Sequence, residues 1–192
     1  MDSPCGNASA VNIRQVKGER GVQSRISIDV ANPSDAAAVT EVLEASYPHL
    51  MSSAYERGML ERALPLMTRA NPKLLSSGTY FIARWDGEMA VGCGGWTPER
   101  PGTTEVEPGI GHIRHFATRA DHTGRGIGRR IFDRCEAQAC AERIAIFECY
   151  ASVNAVPFYT ALGFAAVEEI EVPLAIDIRL RGVRMRRSLQ RG

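Results

Sequence analysis

The chain has 192 residues, a length that fits one compact domain and leaves little room for a second. An apolar share of 44% is enough to build a buried core, and the formal net charge of +1 gives no support for binding to nucleic acid or to a membrane surface. No apolar run approaches the roughly 18 residues that a membrane-spanning helix needs. The composition therefore favours a globular domain with neither nucleic acid nor membrane as a partner.

The beginning of the sequence differs in character from the rest. Residues 1–24 are polar and small and show no periodicity, so they are predicted to form a disordered arm. They also lack the apolar segment of a secretory signal, and we therefore expect a cytoplasmic protein. A single domain is predicted over residues 25–192.

The cysteines indicate reduced thiols and no metal site. Their number is odd, their spacing is irregular, and no pair has the CxxC spacing of a zinc ligand set. The positions are Cys5, Cys93, Cys135, Cys140 and Cys149.

The first elements are predicted to be a strand followed by two helices. Residues 25–30 alternate apolar and polar side chains, which is the period of a half-buried strand. Residues 32–35 (NPSD) can form a capping box at the start of a helix, and Pro48 is expected to end that helix. A second helix is predicted over residues 54–70, bent at Pro65.

The rest of the chain is predicted to combine hairpins with a β-α-β unit. The Asp86-Gly87 dipeptide predicts a hairpin between strands at residues 79–85 and 88–96, and the Cys-Gly-Gly run at residues 93–95 predicts a bulge or a close backbone approach. The later elements are a strand at 111–118, a helix at 126–141, a strand at 144–150, a short helix at 155–161, and strands at 165–174 and 178–187. This order describes a mixed α/β domain.

A glycine-rich turn lies between the strand at 111–118 and the following helix. Its sequence at residues 123–128 is TGRGIG. The first turn of a helix has unpaired N–H groups at the positive end of its dipole, and glycines let an anion reach them. Arg125, Arg129 and Arg130 add positive charge, so the turn predicts a phosphate or pyrophosphate site. A tight connection with solvated arginines is the alternative, whereas the P-loop and dinucleotide patterns do not fit.

Two sequence blocks resemble motifs of the GNAT superfamily of acyl-CoA N-acyltransferases. Residues 116–118 (FAT) followed by 124–128 (GRGIG) are similar to its acyl-CoA-binding motif, and residues 152–159 (SVNAVPFY) with 162–164 (LGF) are similar to the next one. The blocks have the order and separation of that family, and the resemblance covers about residues 25–188. It implies a three-layer fold with a central, mixed but mostly antiparallel sheet. It also implies transfer of an acetyl group from acetyl-CoA to an amine of a small molecule or peptide by direct attack in a ternary complex.

The resemblance also assigns the residues that would bind the cofactor. Backbone amides of the turn would bind the pyrophosphate of CoA, and the strand before it would pair with the pantetheine arm. Asn154 would form a hydrogen bond with the cofactor, and Phe158 would pack against the cofactor or the core. Thr123 stands where the family usually has Gln or Arg, a departure that leaves the backbone donors in place. The full predicted set is Phe116, Ala117, Thr118, Thr123, Gly124, Arg125, Gly126, Ile127, Gly128, Arg129, Asn154 and Phe158.

Amide formation from a thioester needs a proton donor for the leaving thiolate and stabilisation of the developing oxyanion. The resemblance places Tyr159 as the general acid, and a phenol with a pKa near 10 is well matched to a departing thiolate. Simple packing beside Phe158 is the alternative for this tyrosine. A backbone N–H of Ala117 or Thr118 is the expected oxyanion donor.

The general base is left open between His112, Glu148 and ordered water. His112 has a suitable intrinsic pKa, and burial among apolar residues would raise the pKa of Glu148. Arg114 is a candidate ion-pair partner for Glu148, which would make that pair structural. His115 is expected on the opposite face of the strand from His112 because strand side chains alternate.

The acceptor amine is expected between the first two helices and the sheet. The aromatic and histidine candidates for lining that site are Tyr47, His49, Tyr55 and Trp96. Two competing hypotheses are a CoA-binding sensor or regulatory module without catalysis and a phosphate-binding protein that does not bind CoA. A homodimer is compatible with the family resemblance.

Overall fold

The computed structural model describes residues 25–189, so the predicted arm at residues 1–24 lies outside the described residues. One seven-stranded sheet has the order β1-β2-β3-β4-β5-β7-β6, with only β4 and β5 parallel. The strands are β1 (Ile26–Val30), β2 (Tyr80–Trp85), β3 (Met89–Thr97), β4 (Ile110–Thr118), β5 (Ile146–Ser152), β6 (Ala165–Ala175) and β7 (Ile178–Ser188). The helices are α1 (Ala36–Met51), α2 (Arg57–Met67), α3 (Pro72–Leu75), α4 (Ile127–Ala141) and α5 (Val156–Ala161).

Helix α1 begins as the sequence predicts and ends later. The side chain of Asn32 accepts a hydrogen bond from the Ser34 amide, and the Asp35 carboxylate accepts one from the Asn32 amide, both at 2.9 Å, so the capping box is confirmed. The prediction that Pro48 ends the helix is wrong, because α1 continues to Met51. Proline removes one backbone donor, and the side chain of Met51, which is only 2% exposed, packs the last turn against the core.

Two further departures concern the second helical region. Helix α2 begins after Glu56, whose carboxylate accepts hydrogen bonds from the amides of Gly58 and Met59, and it runs through Pro65 to Met67. The predicted helix over residues 54–70 is therefore shorter, and the four-residue helix α3 follows it without having been predicted. The Glu56 cap was missed since Ser, Thr, Asp and Asn are the usual capping residues.

Helices cover both faces of the sheet and form three layers. On one face, α4 buries an apolar stripe against β2, β3 and β5. On the other face, α1 packs against β2 and β3. The stripe on α4 comprises Ile127, Ile131, Cys135 and Ala139. The mixed, mostly antiparallel three-layer fold predicted from the sequence is confirmed.

The sheet opens between its two parallel strands. Pairing of β4 with β5 extends only from Ile110 opposite Ile146 to His112 opposite Glu148. Beyond that point β4 continues beside β3, and β5 continues beside β7. The two strands therefore separate towards their carboxyl ends and leave a cleft between them.

A β-bulge in β4 lies at the start of this cleft. Cys93 pairs with Ala117 and Gly95 with Arg114, so one residue of β3 opposes two residues of β4. His115 in the bulge has a φ of 45°. A Cβ at Gly94 would lie 2.6 Å from the Phe116 ring, which explains the glycine on the facing strand. The close approach predicted at residues 93–95 is therefore confirmed, whereas the extra residue of the bulge lies in β4 and not in the strand that carries these glycines.

Candidate active site

The opening between β4 and β5 leads into a cleft of about 730 Å³. Its walls come from α1, α2, the turn before α4, the start of α4, α5, and the hairpin of β6 and β7. These segments are far apart in the sequence, and the separation of the two parallel strands brings them together. A cleft of this size at the carboxyl end of parallel strands is a typical ligand site.

The glycine turn forms one end of the cleft. Gly124 and Gly126 have φ values of 74° and 75°, and a Cβ at either position would meet no atom within 4 Å. Gly126 precedes α4, and no side chain caps the helix there. The amides of the first turn therefore face open space beside the cleft, which is the arrangement that binds phosphate oxygens. The residues fit the pyrophosphate of CoA.

Phe158 packs against the same turn. A Cβ at Gly128 would lie 2.9 Å from the Phe158 ring, so only glycine permits this contact. The hydroxyl of Thr123 donates to the carbonyl of Ala120 at 3.0 Å and so braces the turn. The sequence departure at Thr123 thus has a local structural use.

The predicted cofactor residues lie together with one exception. Arg129 lines the cleft and donates from Nη2 to the carbonyl of Ala161 at 2.6 Å. Arg125 does not line it, because its guanidinium lies over the Trp85 ring at 5.1 Å from the ring centroid. The predicted residues that do line the cleft are Phe116, Ala117, Thr118, Thr123, Gly124, Gly126, Ile127, Gly128, Arg129, Asn154 and Phe158.

Tyr159 lies in the wall of the cleft between three aromatic rings. Its ring centroid is 6.4 Å from that of Phe116, 5.1 Å from Phe158 and 5.4 Å from Phe164. The side chain is 6% exposed, and burial raises the pKa of the phenol well above its ordinary value. No hydrogen bond to this hydroxyl forms among the described residues, so a protonated phenol remains available as a donor.

His112 and Glu148 are placed outside this cleft. His112 is 2% exposed, and burial lowers its pKa. Neither of its ring nitrogens has a hydrogen-bond partner among the described residues, and Nδ1 lies 3.6 Å from Oε1 of Glu148. His112 adjoins a separate, smaller pocket formed with the loop before β4. The structure therefore brings these two residues together but does not bring either to Tyr159.

Arginines from β7 hold the Glu148 carboxylate. Nε of Arg186 donates to Oε2 at 2.6 Å, and Nη1 of Arg184 donates to the same oxygen at 3.3 Å. The suggestion that Arg114 pairs with Glu148 is wrong, since Arg114 donates instead to the hydroxyl of Thr97 at 2.9 Å. The pairing of β7 with β5 brings these arginines to Glu148, and that pairing is not visible in the sequence.

His115, in the bulge, lines the cleft, whereas His112, which was expected on the opposite face of the strand, does not. Its carbonyl accepts a hydrogen bond from the Tyr80 hydroxyl at 3.1 Å, which fixes the bulge. Burial, with a smaller contribution from Arg114, lowers the pKa of the imidazole to about 4. The glycines of β3 that face β4 indicated a bulge or a close approach, but they do not reveal which of the two strands carries the extra residue.

Of the four residues proposed for the acceptor side, only Tyr47 lines the cleft. Trp96 is in the core against Phe147, Tyr55 donates its hydroxyl to the carbonyl of Arg181 at 2.7 Å, and His49 is exposed. Aliphatic and thioether side chains take their place. These are Leu50, Met51, Leu66, Met67, Val172, Leu174 and Leu180.

The described residues contain neither a metal-binding cluster nor a membrane-spanning helix. Within residues 25–189, histidine, cysteine and acidic side chains form no group of three that could hold a metal ion. No helix in that part of the chain has the length and apolar character needed to cross a membrane.

Known structures share this fold. A GCN5-related N-acetyltransferase from Rhodopseudomonas palustris, also described as an aminotransferase of class II, is 25% identical with a TM-score of 0.71, over 88% of this chain and 98% of that one. The PaiA N-acetyltransferase from Thermoplasma acidophilum, in complex with coenzyme A, is 15% identical with a TM-score of 0.64, over 85% and 98%. Rv2747 from Mycobacterium tuberculosis, in complex with CoA and NLQ, is 18% identical with a TM-score of 0.57, over 85% and 99%.

The family comparison agrees with these structures. A comparison with curated proteins gave no match. The acetyltransferase (GNAT) domain family matches residues 63–186, well over half of the chain. The match includes β3, β4, the glycine turn, α4 and α5, and so contains both motifs that carried the resemblance. The protein therefore belongs to the GNAT acetyltransferase family.

Proposed function

We propose that the protein is an N-acetyltransferase that uses acetyl-CoA to acetylate an amine of a small molecule or peptide in a ternary complex. The observation that carries this proposal is the shared cleft, in which an uncapped helix start with two open glycines lies at one end and Tyr159 lies in the wall. The CoA complexes of two proteins with this fold support the choice of cosubstrate.

The residues of the cleft suit each part of CoA. Amides of residues 126–129 would bind the pyrophosphate, and the edge of β4 at residues 116–118 would hydrogen-bond the pantetheine arm, since β5 no longer pairs with it there. Asn154 lines the cleft, and its side-chain Oδ1 is buried without a hydrogen-bond partner among the described residues. An amide that needs a partner is suited to a polar group of the cofactor.

The charge of the cleft favours the reactive form of an acceptor amine. Its lining among the described residues includes Arg114, Arg129 and Arg181 and no Asp or Glu. A positive environment destabilises a bound ammonium ion and so lowers the pKa of the amine. We therefore assign the amine proton to water. The low pKa of His115 makes that imidazole a weak base, and His112 and Glu148 are outside the cleft.

Acetyl-CoA supplies the acetyl group as an activated thioester. The amine nitrogen bonds to the acetyl carbon as the carbon–sulfur bond breaks, and the developing oxyanion is stabilised by a backbone amide of Ala117 or Thr118. Tyr159 Oη gives its proton to the leaving sulfur. The phenolate regains a proton through water from the nitrogen, so the products are an amide and a free thiol, with the tyrosine restored.

The test is release of free thiol from acetyl-CoA in the presence of an amine panel. Replacing Tyr159→Phe is expected to lower kcat by about 100- to 1,000-fold, as for loss of a general acid, with little change in the Kd for CoA measured by calorimetry. Tyr150→Phe is the matched control, because Tyr150 also lines the cleft. A loss of rate in the Tyr150 variant alone would contradict the assignment of the acid.

The alternative of a CoA-binding sensor predicts a different result. Calorimetry would then show binding of CoA, while no amine would increase thiol release above the rate of spontaneous hydrolysis. We also propose a cytoplasmic location, which is in keeping with the free thiols of Cys93, Cys135 and Cys149. Cell fractionation tests the location, and light scattering tests whether the chain forms the homodimer that the family resemblance allows.

A further inference from the structure

The cleft is positively charged at two separate places. Arg129 belongs to the first turn of α4, at the end where the pyrophosphate would bind. Arg114 lies on β4 on the other side of Phe116, away from the glycine turn. Two residues of strand span about 7 Å, so Arg114 lies beyond the segment that would pair with the pantetheine arm. Its charge is therefore not explained by the cofactor phosphates.

Arg114 has no ion-pair partner among the residues that the structure describes. Its Nη1 donates to the hydroxyl of Thr97, which is neutral, at 2.9 Å. Burial lowers the pKa of the guanidinium, and Glu99 is near enough to oppose that effect in part without forming an ion pair. A partly buried guanidinium with one neutral partner gains most from a carboxylate, which accepts two parallel hydrogen bonds.

The acceptor side of the cleft that Arg114 lines is apolar. Met51 and Leu180 belong to one buried cluster, and Leu174 and Met67 pack against it. All four line the cleft, and Arg181 follows Leu180 at the exposed rim. The site therefore offers an apolar surface with guanidinium groups beside it.

Acceptors with several positive charges suit this site poorly. A polyamine or a lysine-rich peptide needs carboxylates to balance its ammonium groups, and the described lining of the cleft has none. An apolar amine without an acid would leave Arg114 unpaired in the complex, at a cost in free energy.

We infer that the acceptor is a small amino carboxylate with an apolar side chain, whose carboxylate binds Arg114 and whose side chain packs between α2 and the β6–β7 hairpin. This inference rests on the proposed acetyl transfer. Arg114 is a substrate-binding residue in this assignment, and it also sets specificity, because it distinguishes an amino acid from the amine formed by its decarboxylation.

Binding of the expected products tests the inference without depending on turnover. Calorimetry on the full chain saturated with CoA would compare N-acetyl-L-phenylalanine with N-acetylphenethylamine, which differ only in the carboxylate. The acid is expected to bind about 10- to 100-fold more tightly, the range for a charge-assisted hydrogen-bonded pair. Equal binding of the two compounds, or tighter binding of the uncharged one, would overturn the inference.

Two variants test whether Arg114 causes the preference for the compound with a carboxylate. Arg114→Gln is expected to bring the affinity ratio of the two compounds close to one. Arg179→Gln removes the same charge from β7 at an exposed position outside the cleft, and it is expected to retain the wild-type ratio. A ratio that is unchanged in Arg114→Gln, with binding of CoA intact, would contradict the role of this arginine.

Rates of thiol release with different amines distinguish failure of the proposed acetyl transfer from failure of the inferred carboxylate site. Thiol release with L-phenylalanine above that with phenethylamine or spermidine supports both the acetyl transfer and the inference. Faster release with spermidine or phenethylamine would overturn the inference and keep the acetyl transfer. Selective binding of N-acetyl-L-phenylalanine with no thiol release from any amine would overturn the transfer and keep the carboxylate site.

Discussion

The Glu148 carboxylate illustrates how neighbours decide the role of a buried acid. It is 2% exposed, yet it accepts hydrogen bonds from Arg184 and Arg186 and lies beside His112. A carboxylate held by two guanidinium groups belongs to a structural ion-pair network, and Glu148 does not line the cleft in which the amine would react. We therefore expect Glu148 to contribute to stability and not to the chemical step.

Replacing Glu148→Gln is expected to lower the free energy of unfolding by about 2–4 kcal/mol, because it leaves Arg186 without its counter-charge and removes one of the two carboxylates that pair with Arg184. The kcat of the folded fraction should stay near the wild-type value. Denaturant unfolding and thiol release measure the two quantities. Glu136→Gln is the control, since its pair with Arg187 is more exposed and should matter less. A large loss of kcat with unchanged stability would identify Glu148 as the base.

His115 gives a pH dependence to the stability of the protein without ligand. Burial lowers the pKa of its imidazole to about 4 in the folded state, while the unfolded value is near 6.5. Between these values the unfolded chain binds more protons, so the free energy of unfolding falls as the pH falls. The loss from this group is about 2 kcal/mol at pH 5 and absent above pH 7.

The measurement is denaturant unfolding of the wild type and of His115→Gln between pH 5 and pH 7.5. The variant is expected to lose less stability on acidification, by about 2 kcal/mol. His49→Gln removes an exposed histidine, whose ring stays in water in both states, and should follow the wild type. A His115 variant with the wild-type slope would show that the ring is solvated.

Among single residues, the sequence identified those that belong to a recognisable motif. The glycines of the turn, Asn154 and Phe158 belong to motifs, and all line the cleft. The direction of a strand side chain was harder to predict, because the bulge at His115 shifts the alternation by one residue. The sequence favoured His112 over His115 as a candidate base, whereas His115 is the histidine of β4 that lines the cleft.

At the scale of elements, the turn before α4 needs glycine for two reasons. The backbone there is left-handed, and an anion must be able to approach the amides. Gly124 has a φ of 74° and open space around its would-be Cβ, and Gly87 in the β2–β3 turn has the same features with a φ of 79°. Alanine at either position costs about 1–2 kcal/mol of stability through the left-handed backbone. Only at Gly124 would the methyl group also enter the space where phosphate oxygens approach the amides.

The pair of variants Gly124→Ala and Gly87→Ala therefore separates strain from binding. Both should lower the free energy of unfolding by about 1–2 kcal/mol. Only Gly124→Ala should raise the Kd for CoA, by about tenfold or more if one charge-assisted hydrogen bond is lost. Denaturant unfolding and calorimetry measure these effects. Equal CoA affinities in the two variants would place the pyrophosphate elsewhere.

Helix ends and strand pairings show the limits of local patterns. The capping box at α1 was predictable because each of its hydrogen bonds lies within four residues. The end of α1 was not, since the burial of Met51 against distant residues outweighs the local effect of Pro48. The opening between β4 and β5 likewise depends on non-local pairing, because β7 and not β4 pairs with the end of β5.

For the whole molecule, periodicity and turn chemistry predicted every strand and every helix except α3 in the right order, and two motifs indicated the family. The residues that line the acceptor side could not be predicted from the sequence. This side combines the end of α1, α2 and the β6–β7 hairpin, whose contacts run between the two halves of the chain. Predicted aromatics such as Trp96 and Tyr55 proved to be structural, and unremarkable leucines and methionines form the wall.

Binding of CoA should stabilise the molecule as a unit, because the cleft joins elements from most of the described chain. At 100 times its Kd, a ligand that binds only the folded state adds about 2.7 kcal/mol. For a domain of this size that corresponds to a rise in Tm of about 5–11 °C. AMP, which lacks the diphosphate, should give a much smaller shift at the same concentration.

Hydrogen exchange shows which backbone amides are stabilised when CoA binds. CoA should slow exchange of amides at residues 113–118 and 124–129, where β4 has lost its pairing with β5 and the helix start is uncapped. Amides of the β1–β2 pair, remote from the cleft, should change only to the extent that global unfolding does. Protection confined to the β1–β2 pair, or an equal shift in Tm with AMP, would contradict a diphosphate at the glycine turn, and with it the orientation of the thioester towards Tyr159.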